Sequence, residues 1–178
     1  MRDNSKPLVL GAICLLMAGC AVAWMKFSTP ASPTEIRLLA PSPALTPVQV
    51  VNAQLLAFKT NISAGDDPKT MDRGIRTAFE FASPGNREIT GPADRFVQLV
   101  RTPAYLPLLN HQRHRVVSTT LSGDRLEHVV EIVDILGSKR LYVFLVSRQS
   151  QGKYDECWMI DGVTPIEDSD LLDGSIPA

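Results

Sequence analysis

The sequence predicts an α+β domain: three N-terminal helices packed on a curved four-stranded antiparallel sheet, preceded by an apolar anchor helix. Three observations predict it. From Pro47 to about Tyr105 apolar residues recur every three or four positions, the spacing of one helix face. From His111 onward the period drops to two, β-branched residues become frequent, and turn-forming clusters recur at near-regular spacing, as in a meander of hairpins. Finally, residues 8–24, LVLGAICLLMAGCAVAW, carry no charge over 17 positions.

The helices follow in order. Thr46-Pro47 supplies a capping hydroxyl and a proline at the first helical position, and VQVVNAQLLAFK places Val48, Val51, Leu55 and Phe58 on one stripe. Gly65 and Pro68 interrupt the pattern. A second helix runs through MDRGIRTAFEFA, with Ile75, Ala78, Phe79 and Ala82 sharing a face, and Ser83-Pro84-Gly85 stops it. Gly91-Pro92 restarts the chain into ADRFVQLVRTPAY, a short third helix carrying Phe96, Leu99 and Val100, with Asp94 in the first turn, where negative charge suits the helix dipole. The stretch between, residues 83–91, reads as punctuation. Arg87, which neither capping nor core packing needs, is a candidate contact.

The strands are RVVSTTL, RLEHVVEIVDI, RLYVFLVSRQ and ECWMIDGV, joined by SGD, LGSK and SQGKYD. LYVFLV is apolar on both faces, which predicts a central strand with helices on one side and another layer or a partner on the other. In the second strand Leu126, His128, Val130 and Ile132 alternate with Glu127, Val129, Glu131 and Val133. If the Glu131 face is outward, the carboxylates are solvated. If it is inward, Glu131 is a desolvated candidate base with a raised pKa. His111, Arg113, His114 and Arg115 form a polar, basic start to the first strand, read as a solvated strand end.

Residues 1–27 read as a signal peptide or membrane anchor, 28–46 as a Pro-rich linker, 47–166 as the folded domain and 167–178 as a tail. Arg2 and Lys6 precede the uncharged run, whose length is at the lower limit for crossing about 30 Å of hydrocarbon. Two readings stay open. Met17-Ala18-Gly19-Cys20 resembles the end of a lipoprotein signal, with Cys20 lipidated; alternatively the run is an uncleaved anchor with Trp24 and Lys26 at the far interface. Both place the domain on the non-cytoplasmic side of a membrane, periplasm or thylakoid lumen, with the cytoplasmic face as the alternative.

Lys plus Arg total 18 against 19 Asp plus Glu, so no basic footprint for nucleic acid exists. Of Cys14, Cys20 and Cys157, only the last lies in the folded part, too few for a disulfide or a thiolate metal site and best read as a core residue. No Gly-rich phosphate loop, Ser-His-Asp order or Cys-X-X-Cys pair is present, so no cofactor or metal is expected.

The runs GIRTAFEFASPGNREITGPADRFVQLV, YLPLL and RQSQGKYDECWMIDGVTPI resemble a bacterial and plant family of unknown function, number 4864 among the domains of unknown function. The likeness covers about residues 48–166 and is nearest to longer members from photosynthetic organisms. It implies the nuclear transport factor 2-like, or cystatin-like, cone fold, with Phe81, Ala82, Ser83, Pro84, Phe96, Val100 and Tyr105 as hallmark positions. The family has no established catalytic residues to carry over. Shorter members have an Arg-Gly-Gly-Tyr-Pro pattern where this chain has Arg101-Thr102-Pro103-Ala104-Tyr105.

Three functions are consistent with these observations. The first is a membrane-held, non-catalytic module that binds a small apolar ligand or a protein, with a homodimer through the sheet as one form of partner. The second is an isomerase- or hydratase-type enzyme with Glu131 as base and Tyr105 or Tyr142 as donor to the developing oxyanion. The third, suggested by the family likeness, is an assembly factor at a photosynthetic or envelope membrane. Arg87, Arg101, Tyr105 and Tyr142 are the candidate ligand contacts. A site of the second kind requires Glu131, Arg101 and Tyr105 to converge on one enclosed cavity.

Overall fold

The computed structural model describes residues 40–61 and 71–166. The anchor, Cys20, most of the Pro-rich linker and the 167–178 tail lie outside the described residues. Among the described residues no helix is long and apolar enough to cross a membrane.

Helix α1, Pro47–Lys59, starts as its sequence demands: Thr46 Oγ1 accepts from the Gln49 amide, and Gln49 Oε1 accepts from the Thr46 amide in return. Val51, Leu55 and Phe58 are buried as the spacing predicts, whereas Val48 is exposed and Val50 is buried in its place. The reason is that α1 is covered on two sides, by a second helix and by the sheet, so its buried face is wider than one stripe. Helix α2, Arg73–Glu80, crosses α1 at Gly74. A Cβ there would overlap the Ala57 carbonyl oxygen and come within 2.7 Å of Asn61 Cα. Asn61 Oδ1 accepts from the Ile75 amide at 3.1 Å and fixes the same crossing.

Among the described residues there are four α-helices where the domain is expected to have three. The stretch read as punctuation contains α3, Pro84–Thr90, followed by α4, Ala93–Val100. Ser83 Oγ accepts from the Asn86 amide, Pro84 occupies the first helical position, and Gly91 ends the helix at a φ of 81°. Ser83-Pro84 is thus a start signal as much as a stop, and a proline that ends one helix opens the next.

The sheet comprises β1 (Arg113–Ser122), β2 (Arg125–Val133), β3 (Lys139–Arg148) and β4 (Trp158–Ile166), antiparallel in the order β1-β2-β3-β4. All four strands and the interior place of β3 agree with the period-two reading. Val130, Ile132, Tyr142, Phe144, Val146 and Ile160 face the helices and join Leu55, Phe58, Ile75, Phe81 and Phe96 in one core. Leu141, Val143 and Leu145 alternate onto the other face, where they are half-buried. The register slips by one residue at Val117 in β1 and at Asp161 in β4, and such bulges bend a strand and raise its twist.

Between α2 and α3 the backbone runs briefly beside β4. Ile160 donates to the Phe81 carbonyl and accepts from the Ser83 amide, both at 2.9 Å, and its carbonyl also accepts from Asn86 Nδ2 at 2.9 Å. Phe81, Ala82 and Ser83 are all buried. The hallmark Phe-Ala-Ser-Pro run therefore fastens the helical layer to the sheet.

Candidate functional site: a cavity between the helices and the fourth strand

A cavity of about 260 Å³ opens between the helices and β4. Phe58 from α1, Phe96, Leu99 and Val100 from α4, Leu108 from the following 3-10 turn and Val163 from β4 make it mainly apolar. Ile89, 76% exposed, stands at its rim. Into this wall are set Gln54, Asn86, Thr90, Tyr105, Asp161 and Thr164.

The polar groups differ in what they leave unused. Tyr105 donates its hydroxyl to the Val163 carbonyl at 3.1 Å, Thr90 donates to the Asn86 carbonyl at 2.9 Å, and Asn86 Nδ2 donates to the Ile160 carbonyl at 2.9 Å. Gln54 is only 1% exposed; its Nε2 donates to the Ala78 carbonyl at 3.0 Å, while its Oε1 has no hydrogen-bond partner. Asp161, the unpaired residue of the β4 bulge, also has a buried oxygen, Oδ2, without a hydrogen bond; Arg125 Nε stands 3.7 Å away, too far to donate. No group of three or more His, Cys, Asp or Glu among the described residues is placed to hold a metal ion.

Residues 43–171 match the family model described as a domain of unknown function (DUF4864). The chain belongs to that family. No curated protein and no solved structure matches the chain.

Within this DUF4864 domain only Tyr105, of the candidate ligand contacts and catalytic residues named from the sequence, lines the cavity. Tyr142 is buried, donates to the Ala104 carbonyl at 2.9 Å and lies outside the cavity; burial pushes its hydroxyl up to about 12. Arg101 pairs with Asp72, Nη2 to Oδ1 at 2.7 Å, and holds the start of α2 instead of a ligand. Glu131 alternates with the core residues Val130 and Ile132 and so belongs to the opposite face of the sheet. There Arg115 Nε meets its Oε1 at 3.1 Å and Lys139 Nζ its Oε2 at 3.5 Å. The Arg115 hydrogen bond, assisted by both cations, holds its carboxyl below the usual range, against a smaller desolvation effect. Glu131, Arg101 and Tyr105 do not converge, and the isomerase or hydratase reading loses its base.

Arg87 is fully employed by the fold. Nε donates to the Ala82 carbonyl (2.9 Å), Nη2 to the Glu80 carbonyl (2.7 Å) and Nη1 to the Tyr154 hydroxyl (2.9 Å). Its guanidinium also lies about 5 Å from the ring centres of Phe79 and Tyr154. It thus satisfies carbonyls left over at the end of α2 and ties α3 to the loop before β4. Arg87→Lys is expected to lower the urea midpoint by the equivalent of about 2 kcal/mol, because a point ammonium cannot replace a planar fork serving three acceptors. An unchanged midpoint would reject this role.

The histidines at the start of β1 were read as a solvated strand end, and the structure corrects this. His111 is 1% exposed, its Nδ1 donates to the Leu108 carbonyl at 2.8 Å, and its Nε2 must then accept from His114 Nδ1 at 2.7 Å. Burial lowers the pKa of both rings, His114 to about 4, with Lys59 adding repulsion. Cys157 is buried, as expected, and desolvation raises its thiol pKa.

Two of the residues missed from the sequence carried a signal. Gln54 sits three positions after Val51 and four before Phe58, a polar residue on the apolar stripe of α1. Asp161-Gly162 interrupts an otherwise apolar strand, the composition of a bulge. Asn86 and Thr90 carried none while their segment was taken for a turn.

Proposed function

We propose that the domain is a non-catalytic binding module that takes a compact, largely apolar molecule in the cavity between the helices and β4. One observation carries this reading: Phe58, Phe96, Leu99, Val100, Leu108 and Val163 wall a cavity of about 260 Å³ between the helices and β4. The apolar lining with a few placed polar groups is the common character of small-molecule sites. The arrangement of helices on one face of a bent meander agrees with the nuclear transport factor 2-like cone that the family likeness implies, and that fold includes many binding modules. The uncharged run at 8–24, with basic residues ahead of it, supports a domain held at the non-cytoplasmic face of a membrane.

At some 20–30 Å³ per heavy atom the cavity suits a molecule of roughly ten such atoms. Butylbenzene has that size and no polar group. Titrated into the full-length protein, it is expected to bind and to raise the unfolding temperature, and Leu99→Trp, which fills the wall of the cavity, is expected to abolish both effects. Absence of binding to the unsubstituted protein would overturn the reading.

A further inference from the structure

The end of the sheet where β2 turns into β3 carries an apolar tip flanked by positive charge. Leu106, Ile135 and Leu136 are 51%, 60% and 86% exposed, and with Pro103, Pro107 and Asp134 they line one shallow groove of about 320 Å³. Contiguous apolar surface left in water marks a contact with a partner or a membrane. The turn that presents it is firmly built. Asp134 Oδ1 accepts from the amides of Leu136 (2.9 Å) and Ser138 (2.8 Å), the Gly137 amide donates to the Asp134 carbonyl at 3.0 Å, and Gln112 Nε2 donates to the Ile135 carbonyl at 3.2 Å. Most of the turn's backbone is thus hydrogen-bonded within the protein, and Pro103 and Pro107 have no N–H to desolvate, so little is lost when water leaves.

Cations stand on both sides of the tip. Arg140 lines the helix side with Pro103 and Pro107, while Arg113, Arg115 and Lys139 line a second hollow beside Glu131. All four are exposed. Glu131 is shared by Arg115 and Lys139, and Asp134 is buried, with Oδ1 engaged by the turn. Among the described residues no carboxylate is within ion-pair reach of Arg113 or Arg140.

We propose that this end of the domain docks on a bilayer surface rich in anionic phospholipid. Leu106, Ile135 and Leu136 enter the boundary between headgroups and acyl chains, and Arg113, Lys139 and Arg140 meet lipid phosphates. Such binding adds apolar burial to attraction for anionic headgroups, and the tip and its flanking cations supply one each. The most exposed apolar side chain, Leu136, stands at the tip of a hairpin rather than in a socket, a shape suited to a fluid layer more than to a folded acidic partner. The uncharged run at 8–24 points to the same neighbour.

The photo-crosslinker p-benzoylphenylalanine, placed at position 136 of the full-length protein, tests this. A second preparation carries it in place of Leu121, which is 70% exposed near the hairpin at the opposite end of the sheet. Both share one N-terminal run, so insertion of that run does not decide the comparison. In vesicles of phosphatidylcholine and phosphatidylglycerol in equal parts, lipid adducts at 136 are expected to exceed those at 121 by about fivefold or more, and to fall by a similar factor in phosphatidylcholine alone. Arg113→Gln combined with Arg140→Gln is expected to lower the yield at 136 by about fivefold or more, since one cation near an anionic surface is worth roughly that factor. Equal yields at the two positions, a yield at 136 indifferent to phosphatidylglycerol or to the double substitution, or crosslinks from 136 to a second copy or to the chain's own residues in place of lipid would overturn the proposal.

Discussion

Gly74→Ala is expected to destabilise the domain by about 3 kcal/mol or more, at the upper end of what overpacking costs. The added methyl group would overlap the Ala57 carbonyl oxygen and press on Asn61 Cα at 2.7 Å. Backbone atoms cannot swing away as a long side chain can, so α1 and α2 must separate. That shift also strains the Asn61 contact to the Ile75 amide, which closes the same crossing. For a domain of this size the loss corresponds to a fall in unfolding temperature on the order of 10 °C. Gly85→Ala supplies the contrast: it lies in α3 with nothing within 4 Å of an added Cβ, and alanine in a helix gains up to about 1 kcal/mol over glycine. Thermal unfolding of the two variants side by side checks the argument, and equal effects would refute it.

Stability is expected to fall as pH drops from about 6.5 toward 4. In the unfolded chain His114 takes a proton near its ordinary value of 6.5, whereas in the fold burial, His111 and Lys59 hold it to about 4. The unfolded state therefore binds more protons across that interval, and stability rises with pH through it. The interval sets a ceiling of roughly 3 kcal/mol at 1.4 kcal/mol per unit, and partial exposure of the ring reduces it to about 2 kcal/mol. His111 and His128, both lowered first by desolvation, act in the same direction. Glu131 has the opposite kind of shift, so its contribution is complete above its ordinary value of 4.5 and is lost only below that. The decline between pH 6.5 and 5 thus belongs to the histidines. Urea midpoints at pH 7, 6 and 5 are expected to decrease in order, with a shallower slope in His114→Gln; a flat profile would refute the coupling.

How far the sequence could be read depended on whether a residue's role is local or set by distant partners. The four strands and the interior place of β3 follow from period-two patterning and hairpin turns, which are properties of neighbouring residues. Gln54 was open to the same logic as a polar interruption of an apolar stripe. Helix α3 was hidden because Ser83-Pro84 carries two meanings and only the seven residues that follow choose between them. Arg87 looked surplus because its acceptors, the Glu80 and Ala82 carbonyls and the Tyr154 hydroxyl, come together only in the folded chain. Arg101 drew its partner Asp72 from 29 positions away, and His111 became buried only through the 3-10 turn before it. The face of Glu131 depended on register, and a shift of one residue exchanges inside for outside.

The backbone contacts at Ile160 also bear on how copies of this protein can meet. A sheet's outermost strands offer unpaired amides and carbonyls on which other chains can add, a common route to aggregation. Here Phe81 and Ser83 occupy the outer rim of β4 at Ile160, while the outer strand β1 carries Arg113 and Arg115 and is broken by the bulge at Val117. Both borders of the sheet are thereby guarded, one by the protein's own chain and the other by charge and irregular geometry. Strand-by-strand polymerisation is disfavoured, and self-association would have to use the broad face that carries Leu141, Val143 and Leu145.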